Sequence, residues 1–389
     1  MARLLFWISA AFSVYVYVGY PLLLWGLQAI FRSSARKQPV EPSVSLLVAA
    51  YNEAAVIADK IRNSLALDYP ADKLEIVIAS DGSKDATAEI VRSFGGAESG
   101  GRVRLVNFEK NRGKTVVLNE AMPELHGEIV AFSDASSMLA EDSIRQLVQC
   151  FSDSRVGAAS GVYRLLKTDQ ARIGSQEDLY WKYETFLKVQ EANLGAFTGA
   201  HGSLYAIRRE LYPFPSADTI NDDFTIPIRI LEHGYRVAYE PTAVAFEEAH
   251  EMEGFSRRVR ITTGNIEQLR EIKSLIWPPR PFVLLCLLSH KIGRLLAPLS
   301  LLVALAANLA LRRQFPYNWL LLGQVLFYAL AVLGAIFSLR PKILRLPYYF
   351  CMINSALFAW VYQALRHGRA IPSRVELDQL GNQPPLERP

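Results

Sequence analysis

Cysteine is scarce in this 389-residue chain: Cys150, Cys286 and Cys351 are an odd number with no metal-ligand spacing. That excludes a disulfide-built secreted domain and leaves three small apolar side chains suited to a reducing compartment. Charge is thin as well, with 21 % charged residues against 51 % apolar. The 42 basic and 38 acidic residues leave a net charge of +4, and no Lys/Arg block is long enough to suggest nucleic acid. Also missing is any phosphate loop of the GxGxxG or GxxxxGK[ST] kind, so a nucleotide would have to be held some other way.

The missing charge is concentrated in a few places. Residues 4–31, 295–311, 314–339 and 346–365 are charge-free runs of 28, 17, 26 and 20 residues. A bilayer-spanning helix needs about 20 mostly apolar residues, so at least three of these runs qualify by length. The first has only Arg3 before it and is about twice the length of a signal-peptide apolar core, which suggests a retained anchor. Arg32, Arg36 and Lys37 follow closely, and the positive-inside rule then predicts that the next segment is cytoplasmic.

The chain divides accordingly into an anchor (1–37), a globular domain (38–280), a second membrane region (281–371) and a polar tail (372–389). Lys291 and Arg294 interrupt the start of the second membrane region. Lone charges at mid-bilayer are costly, so 282–294 is expected to lie as an amphipathic helix in the interface, followed by two or three spans. The basic residues flanking the later runs favour both sides in turn and leave that topology open.

Within the globular part, apolar runs of strand length alternate with helical patterns. Residues 44–50, 74–79, 103–106 and 128–132 predict strands, and 53–67, 85–94 and 114–125 predict helices. Fully apolar strands separated by helices predict an α/β fold, a mostly parallel sheet with helices on both faces. Ligands bind such sheets beyond the carboxyl ends of the strands. There the first run leads into Tyr51-Asn52-Glu53, the second into Ser80-Asp81-Gly82-Ser83, and the fourth into Ser133-Asp134-Ala135-Ser136. A turn aspartate or helix cap explains any one of these acids. Together, acids at separate strand tips describe one crevice. A divalent cation on Asp134 would anchor a nucleotide's phosphates there.

Seven landmarks occur in order over about 220 residues: A-A-Y-N-E (49–53), S-D-G-S-K-D (80–85), N-R-G-K (111–114), S-D-A-S (133–136), T-G-A-H-G-S (198–203), N-D-D-F (221–224) and R-R-V-R (257–260). With membrane segments on either side, the chain resembles the family 2 glycosyltransferases of GT-A fold. The resemblance is to the membrane-integrated branch that contains cellulose, hyaluronan, chitin and poly-N-acetylglucosamine synthases.

The resemblance implies roles position by position. Tyr51, Glu53 and Asp81 would hold the uracil and ribose of a UDP-sugar, and Lys114 would approach the nucleotide. Asp134 stands where the family's D-x-D motif begins and would reach Mg²⁺ or Mn²⁺ and the diphosphate. Ser136 replaces the second Asp, which leaves the metal to Asp134 with water and phosphate oxygens, or with a further ligand from 246–250. Asp223 falls on the catalytic aspartate, the general base for the acceptor hydroxyl. Asp222 is the alternative base, and either acid could instead cap a helix over 224–233.

Arg257 and Arg260 align with the Gln and Arg of the family's Q-x-x-R-W. With Arg258 they would neutralise the leaving diphosphate; an anchor to anionic lipid is the lesser alternative for Arg257 and Arg258. Ile261 replaces the Trp near the acceptor sugar and leaves the acceptor and chain length open. Gly199 and His201 lie at the acceptor loop, where a satisfied structural histidine is the other reading of His201. The aromatic run Tyr180-Trp181-Lys182-Tyr183 is expected to serve as helix core and interface.

The sequence therefore predicts an inverting, metal-dependent glycosyltransferase, multi-pass in a bacterial inner membrane with its catalytic domain in the cytoplasm. It would move a hexose or N-acetylhexosamine from a UDP-sugar to a growing polysaccharide or lipid-linked saccharide, forming a β-linkage. The partners implied are the donor, the acceptor and the bilayer, with export or regulatory subunits as candidates. Single-sugar transfer to polyprenyl phosphate and a non-catalytic scaffold in an export complex are the rivals. A transporter is disfavoured, because 314–339 and 346–365 hold no charged pairs.

Overall fold

The computed structural model describes residues 1–96, 99–166, 174–197, 199–248, 259, 262–264, 266, 280–337 and 342–367. A 30-residue helix, α1 (Ala2–Phe31), leads into an eight-stranded sheet. Strands β1 (Val44–Ala50), β2 (Leu74–Asp81), β3 (Val103–Phe108) and β4 (Ile129–Phe132) lie parallel in the order β3-β2-β1-β4, as the apolar runs predict. Helices α2 (Ile57–Leu65), α3 (Thr87–Ser93) and α4 (Lys114–Ala121) connect them. The first of these starts later than expected because Asn52 takes a positive φ of 56° and turns the chain before the helix can begin.

The second half of the sheet departs from the parallel pattern. Strand β7 (Tyr205–Arg208) is antiparallel to β4 on one side and to β6 (Val156–Leu166) on the other. Beyond them β8 (Arg236–Glu248) is parallel to β6, and the short β5 (Met138–Leu139) closes the edge antiparallel to β8. Helices α5 (Ser143–Val148), α6 (Gly174–Asn193) and α7 (Asp222–Glu232) cover this half.

Side chains alternate across the strands with a period of two, which builds a core on each face. In β1, Leu46 and Val48 pack with Ile57 and Ile61 of α2, whereas Leu47 joins Val117, Leu187 and Phe224 on the opposite face. That second core does not stop at the globular domain. Tyr20 and Leu24 of α1 belong to it, as do Val283, Cys286 and Leu287 of α8 (Pro281–Ala310). The membrane helices are thus seated directly on the sheet's helical cover.

Three described helices are long and apolar enough to cross a membrane: α1, α8 and α9 (Tyr317–Ile336). A further helix, α10 (Leu346–His367), follows and lines a cavity with α8. The separate interfacial helix expected over 282–294 is not formed, because α8 continues unbroken through that segment for 30 residues. Its polar residues turn toward the globular domain: α6 supplies carboxylates to His290 and Arg294, and Lys291 lies over the Phe224 ring. The turn carrying them, Leu287–Gly293, is π-helical, and so is Tyr15–Gly19 of α1. The two turns meet through a 2.7 Å hydrogen bond between the Tyr15 and Ser289 hydroxyls. The 372–389 tail lies outside the described residues.

Gly82, just after β2, has φ +66°, and a Cβ there would lie 2.4 Å from the main-chain carbon of Lys110. Because the obstacle is backbone, Gly82→Ala should destabilise the protein by about 1–3 kcal/mol. Thermal unfolding of the detergent-solubilised chain reads this, and an unchanged midpoint would contradict the packing described.

Candidate active site

Register brings the acids to one edge. Ala50 is opposite Ser80, and Leu47 is opposite Phe132, so β1, β2 and β4 release Tyr51–Glu53, Asp81 and Asp134 on the same side. The antiparallel β7 starts with Tyr205 opposite Phe132, and the segment preceding it therefore arrives at this edge too. Ser133 Oγ donates to the Ser203 carbonyl at 2.7 Å and fixes that approach. A Cβ on Gly202 would lie 3.3 Å from Asp134 Oδ2 and 3.5 Å from Asp223 Oδ2. Two carboxylates from distant parts of the chain thus flank one glycine, and a larger residue there would crowd both.

Asp222 and Asp223 occupy the first turn of α7, where the positive end of the helix dipole favours anions. Neither is the expected cap: Asn221 holds that position, without a side-chain capping bond. The two acids then diverge. Asp222 is 4 % exposed, accepts from the Tyr205 hydroxyl at 3.1 Å and lies 3.3 Å from Lys114 Nζ. Asp223 accepts the Gly202 N–H at 3.1 Å and faces a cavity. Burial, reinforced by Asp222, pushes the Asp223 carboxyl up to about 6, against the pull of Lys114 and Lys188. A carboxylate tuned upward in a cavity is suited to accepting a proton near neutral pH. The geometry therefore favours Asp223 over Asp222 as the base.

On the other side of Asp134 the strand tips form a groove. Asp81 accepts the backbone N–H groups of Arg112 and Gly113, both at 2.8 Å, so its first role is to hold the Asn-Arg-Gly-Lys turn. From that turn Lys114 reaches Asp134 Oδ1 at 3.0 Å. Tyr51 is 43 % exposed at the rim. Burial, with Asp134, Asp85 and Glu247 nearby, raises the Glu53 carboxyl above its usual range. Ser136 Oγ donates to Glu247 Oε1 at 3.1 Å, so the residue in place of the second motif Asp leads to a carboxylate. Among the described residues no three acids or histidines converge into a protein-only metal site. The oxygen-rich, like-charged surroundings of Asp134 nonetheless suit a hard divalent cation that takes most of its ligands from phosphate and water.

The cavity on the Asp223 side has a volume of about 680 Å³. Gly199, Ala200 and His201 form part of its wall, with Trp181 and Tyr183 of α6 and Pro298 of α8. The expected acceptor-loop residues Gly199 and His201 are therefore beside the candidate base. His201 is 8 % exposed, with Lys188 Nζ at 3.1 Å and Tyr239 OH at 3.3 Å from Nε2, as in the structural reading, and it also faces the cavity. The aromatic run is more than helix core, since Tyr180, Trp181 and Tyr183 line the same space. Arg257, Arg258, Arg260, Ile261, Ala249 and His250 lie outside the described residues.

Sequence reasoning missed several residues. Lys60 is fully buried, and its ammonium donates to Ser133 Oγ at 2.7 Å and to the Ser137 carbonyl, so it clamps the loop that carries Asp134. Burial lowers it to about 7. Also missed were Glu184, Lys188 and Glu191 of α6 and their partners on α8. The signal was present in the spacing: three charges at i, i+4 and i+7 form one charged helix stripe that needs a counterpart.

The mixed sheet, with carboxylates gathered at one edge beside a cavity, is that of a GT-A glycosyltransferase, as the comparisons bear out. The family model described as glycosyltransferase-like family 2 matches residues 42–263, and the chain belongs to that family. Among curated proteins, it is 28 % identical over 238 residues to the poly-β-1,6-N-acetyl-D-glucosamine synthase of Staphylococcus epidermidis, covering 60 % of this chain and 56 % of that one. The Staphylococcus aureus (strain COL) synthase is 28 % identical over 232 residues, with 58 % and 55 % covered. The chain thus spans little more than half the length of these relatives. Among solved structures, the mannosyltransferase PcManGT from Pyrobaculum calidifontis, in complex with GDP-Man and Mn²⁺, aligns with a TM-score of 0.72 and 28 % identity. That alignment covers 93 % of this chain and 99 % of the archaeal one.

The Asp223 carboxyl should titrate near 6, and its midpoint should rise in Lys114→Met, which removes a cation that favours ionisation. Infrared difference spectroscopy of the carboxyl stretch, assigned with Asp223→Asn, reads both values. A midpoint near 4 that Lys114→Met leaves in place would contradict this electrostatic picture.

Proposed function

We propose that the protein is an inverting membrane glycosyltransferase that moves a hexose or N-acetylhexosamine from a UDP-sugar to a saccharide or lipid-linked acceptor. The observation that carries this reading is the placement of Asp223. Its carboxylate faces Asp134 across Gly202 on one side and the acceptor-sized cavity on the other. A donor phosphate at Asp134 and an acceptor hydroxyl in the cavity would then meet at Asp223. The curated relatives named for a β-linked N-acetylglucosamine polymer support the β-linkage and an N-acetylhexosamine as the sugar moved.

In the reaction, Asp223 accepts the proton of the acceptor hydroxyl while that oxygen bonds to the anomeric carbon. The bond from this carbon to the donor phosphate oxygen breaks, and the electron pair leaves with UDP. Attack from the face opposite the leaving group inverts the centre, so an α-linked donor gives a β-glycoside. Glu53 and Tyr51 line the nucleotide end, Asp81 keeps the Asn-Arg-Gly-Lys turn in place, and Lys114 stands ready to offset phosphate charge. Asp134, with Glu247 behind Ser136, would hold Mg²⁺ or Mn²⁺, which supplies Lewis-acid neutralisation of the departing diphosphate. The Mn²⁺ in the archaeal mannosyltransferase complex supports that assignment. Arg257, Arg258 and Arg260 are assigned to the leaving group on sequence grounds.

The three membrane-length helices and the basic Arg32, Arg36 and Lys37 after α1 support an inner-membrane enzyme whose catalytic domain faces the cytoplasm. Purified protein offered a panel of UDP- and GDP-sugars with Mn²⁺ should release nucleotide from a UDP-sugar. Asp223→Asn should lower transfer by about 10²–10⁴-fold. Chelation should abolish transfer, and added Mn²⁺ should restore it. The rate should fall on the acid side of about pH 6, where Asp223 becomes protonated and can no longer accept a proton. Metal-independent turnover or a fully active Asp223→Asn would refute the assignment.

A further inference from the structure

The cavity beside Asp223 has two ends of opposite character. Near the base its wall is polar, with His201 and Asn221. Away from it the wall is hydrocarbon, from Leu295 and Pro298 of α8 and Leu346, Phe350, Ile353 and Leu357 of α10. Four basic side chains also face the space, Lys188, His290, Lys291 and Arg294, together with the carboxylates of Glu184 and Glu191. Arg294 is paired with Glu184, and His290 is held between Glu184 at 3.2 Å and Glu191 at 2.6 Å. The two lysines differ. Among the described residues Lys188 has no carboxylate partner, and its nearest polar contact is His201 Nε2 at 3.1 Å. Lys291 lies 4.9 Å over the Phe224 ring, without an ion pair or hydrogen bond among the described residues.

We propose that Lys188 and Lys291 form an anion clamp for the acceptor, and that this acceptor is an amphiphile whose sugar is joined to a hydrocarbon lipid through phosphate. The proposal rests on the sugar-transfer reading above and names its substrate class. Ammonium groups withdrawn from bulk water need an anion. Burial, with Lys291 as a like-charged neighbour, brings the Lys188 ammonium down to about 8, so it remains mostly protonated at neutral pH. A phosphate between the two lysines would satisfy both through charge-assisted hydrogen bonds.

The clamp is separate from the donor groove, because Glu53, Asp81, Lys114 and Asp134 do not line this cavity. With the phosphate on the lysines, the attached sugar would extend toward Asp223 and the lipid chain would lie along the α8 and α10 wall. A neutral saccharide chain would leave both ammonium groups unpaired and the hydrocarbon wall bare.

The test uses the full chain in nanodiscs of neutral lipid. Equilibrium binding and label transfer are measured for a short polyprenyl-diphosphate N-acetylglucosamine and for the neutral glycoside of the same lipid. Phosphatidylglycerol and inorganic phosphate serve as competitors. The phosphate-linked acceptor should bind at least about tenfold tighter than the neutral one, the scale of one lost hydrogen bond to a charged group. Lys188→Gln and Lys291→Gln should each erode that preference, whereas Lys291→Arg, which also controls for folding, should keep it. Equal binding of the two acceptors, or a preference that survives both Gln changes, would overturn the clamp. Equal displacement by phosphatidylglycerol or by phosphate would overturn the acceptor class. Binding is read without turnover, so a chain that binds with the expected preference but transfers no sugar from any donor would fail the sugar-transfer reading alone.

Discussion

Glu184 and Glu191 stand two helical turns apart on α6, 5 % and 2 % exposed, and carboxylates so far from water require cations. The cations come from the other side of the domain boundary. Arg294 and His290 of α8 pair with them, and Tyr20 of α1 adds a hydroxyl at 2.7 Å from Glu191. Removing one partner of a buried pair costs about 3–5 kcal/mol, because the other charge is left behind. This network ties α8 and α1 to the helix that runs beside the candidate base. Further bonds extend the junction: the Tyr183 hydroxyl donates to the Tyr17 carbonyl at 2.9 Å, and the Tyr17 hydroxyl donates to Asn354 of α10 at 2.8 Å. Shared burial of charge, in addition to shared apolar core, makes the globular domain and the membrane helices one device.

The catalytic edge depends on the same balance of charge, with the opposite sign in excess. Glu53, Asp134, Asp222, Asp223 and Glu247 crowd the carboxyl ends of the strands, and two lysines are placed among them. Lys114 bridges Asp134 and Asp222, while Lys60 holds the Asp134 loop from beneath. Burial, reinforced by the neighbouring carboxylates, raises the Glu53 and Asp223 carboxyls. Under the proposed function such a site would be completed by what it binds: a divalent cation beside Asp134 and a proton from the acceptor at Asp223. The arrangement gives each neighbouring aspartate a different task, since Asp222 is bound to Tyr205 and Lys114 while Asp223 faces the cavity.

Much of this was legible in the sequence, and the limits have physical causes. The apolar runs at 44–50 and 74–79 marked parallel strands because burial on both faces leaves no polar alternation to obscure them. The acids that follow them were informative because a parallel sheet releases all its strand ends on one side. The second half was harder to read. Strand β7 is four residues long, too short for a period to show, and its antiparallel insertion is what delivers Gly202 between Asp134 and Asp223. The continuity of 282–294 with the rest of α8 was hard to read because a charge's cost depends on its partner, and the partners of His290 and Arg294 are about 100 residues away in sequence. Lys60 was overlooked for the same reason: nothing local distinguishes a fully buried lysine from one on the solvent face of an amphipathic helix.

The central claim is that one carboxylate, Asp223, joins a donor groove at the sheet edge to an acceptor cavity that continues into the membrane helices. A structure of the full chain in a lipid disc, with an intact nucleotide sugar and Mn²⁺, tests it most directly. The diphosphate should sit on the Asp134 side with the metal, and the anomeric carbon should face the Asp223 carboxylate across Gly202, with the cavity open behind it. A sugar bound with its anomeric carbon turned away from Asp223, or a nucleotide lodged in the cavity itself, would contradict the account.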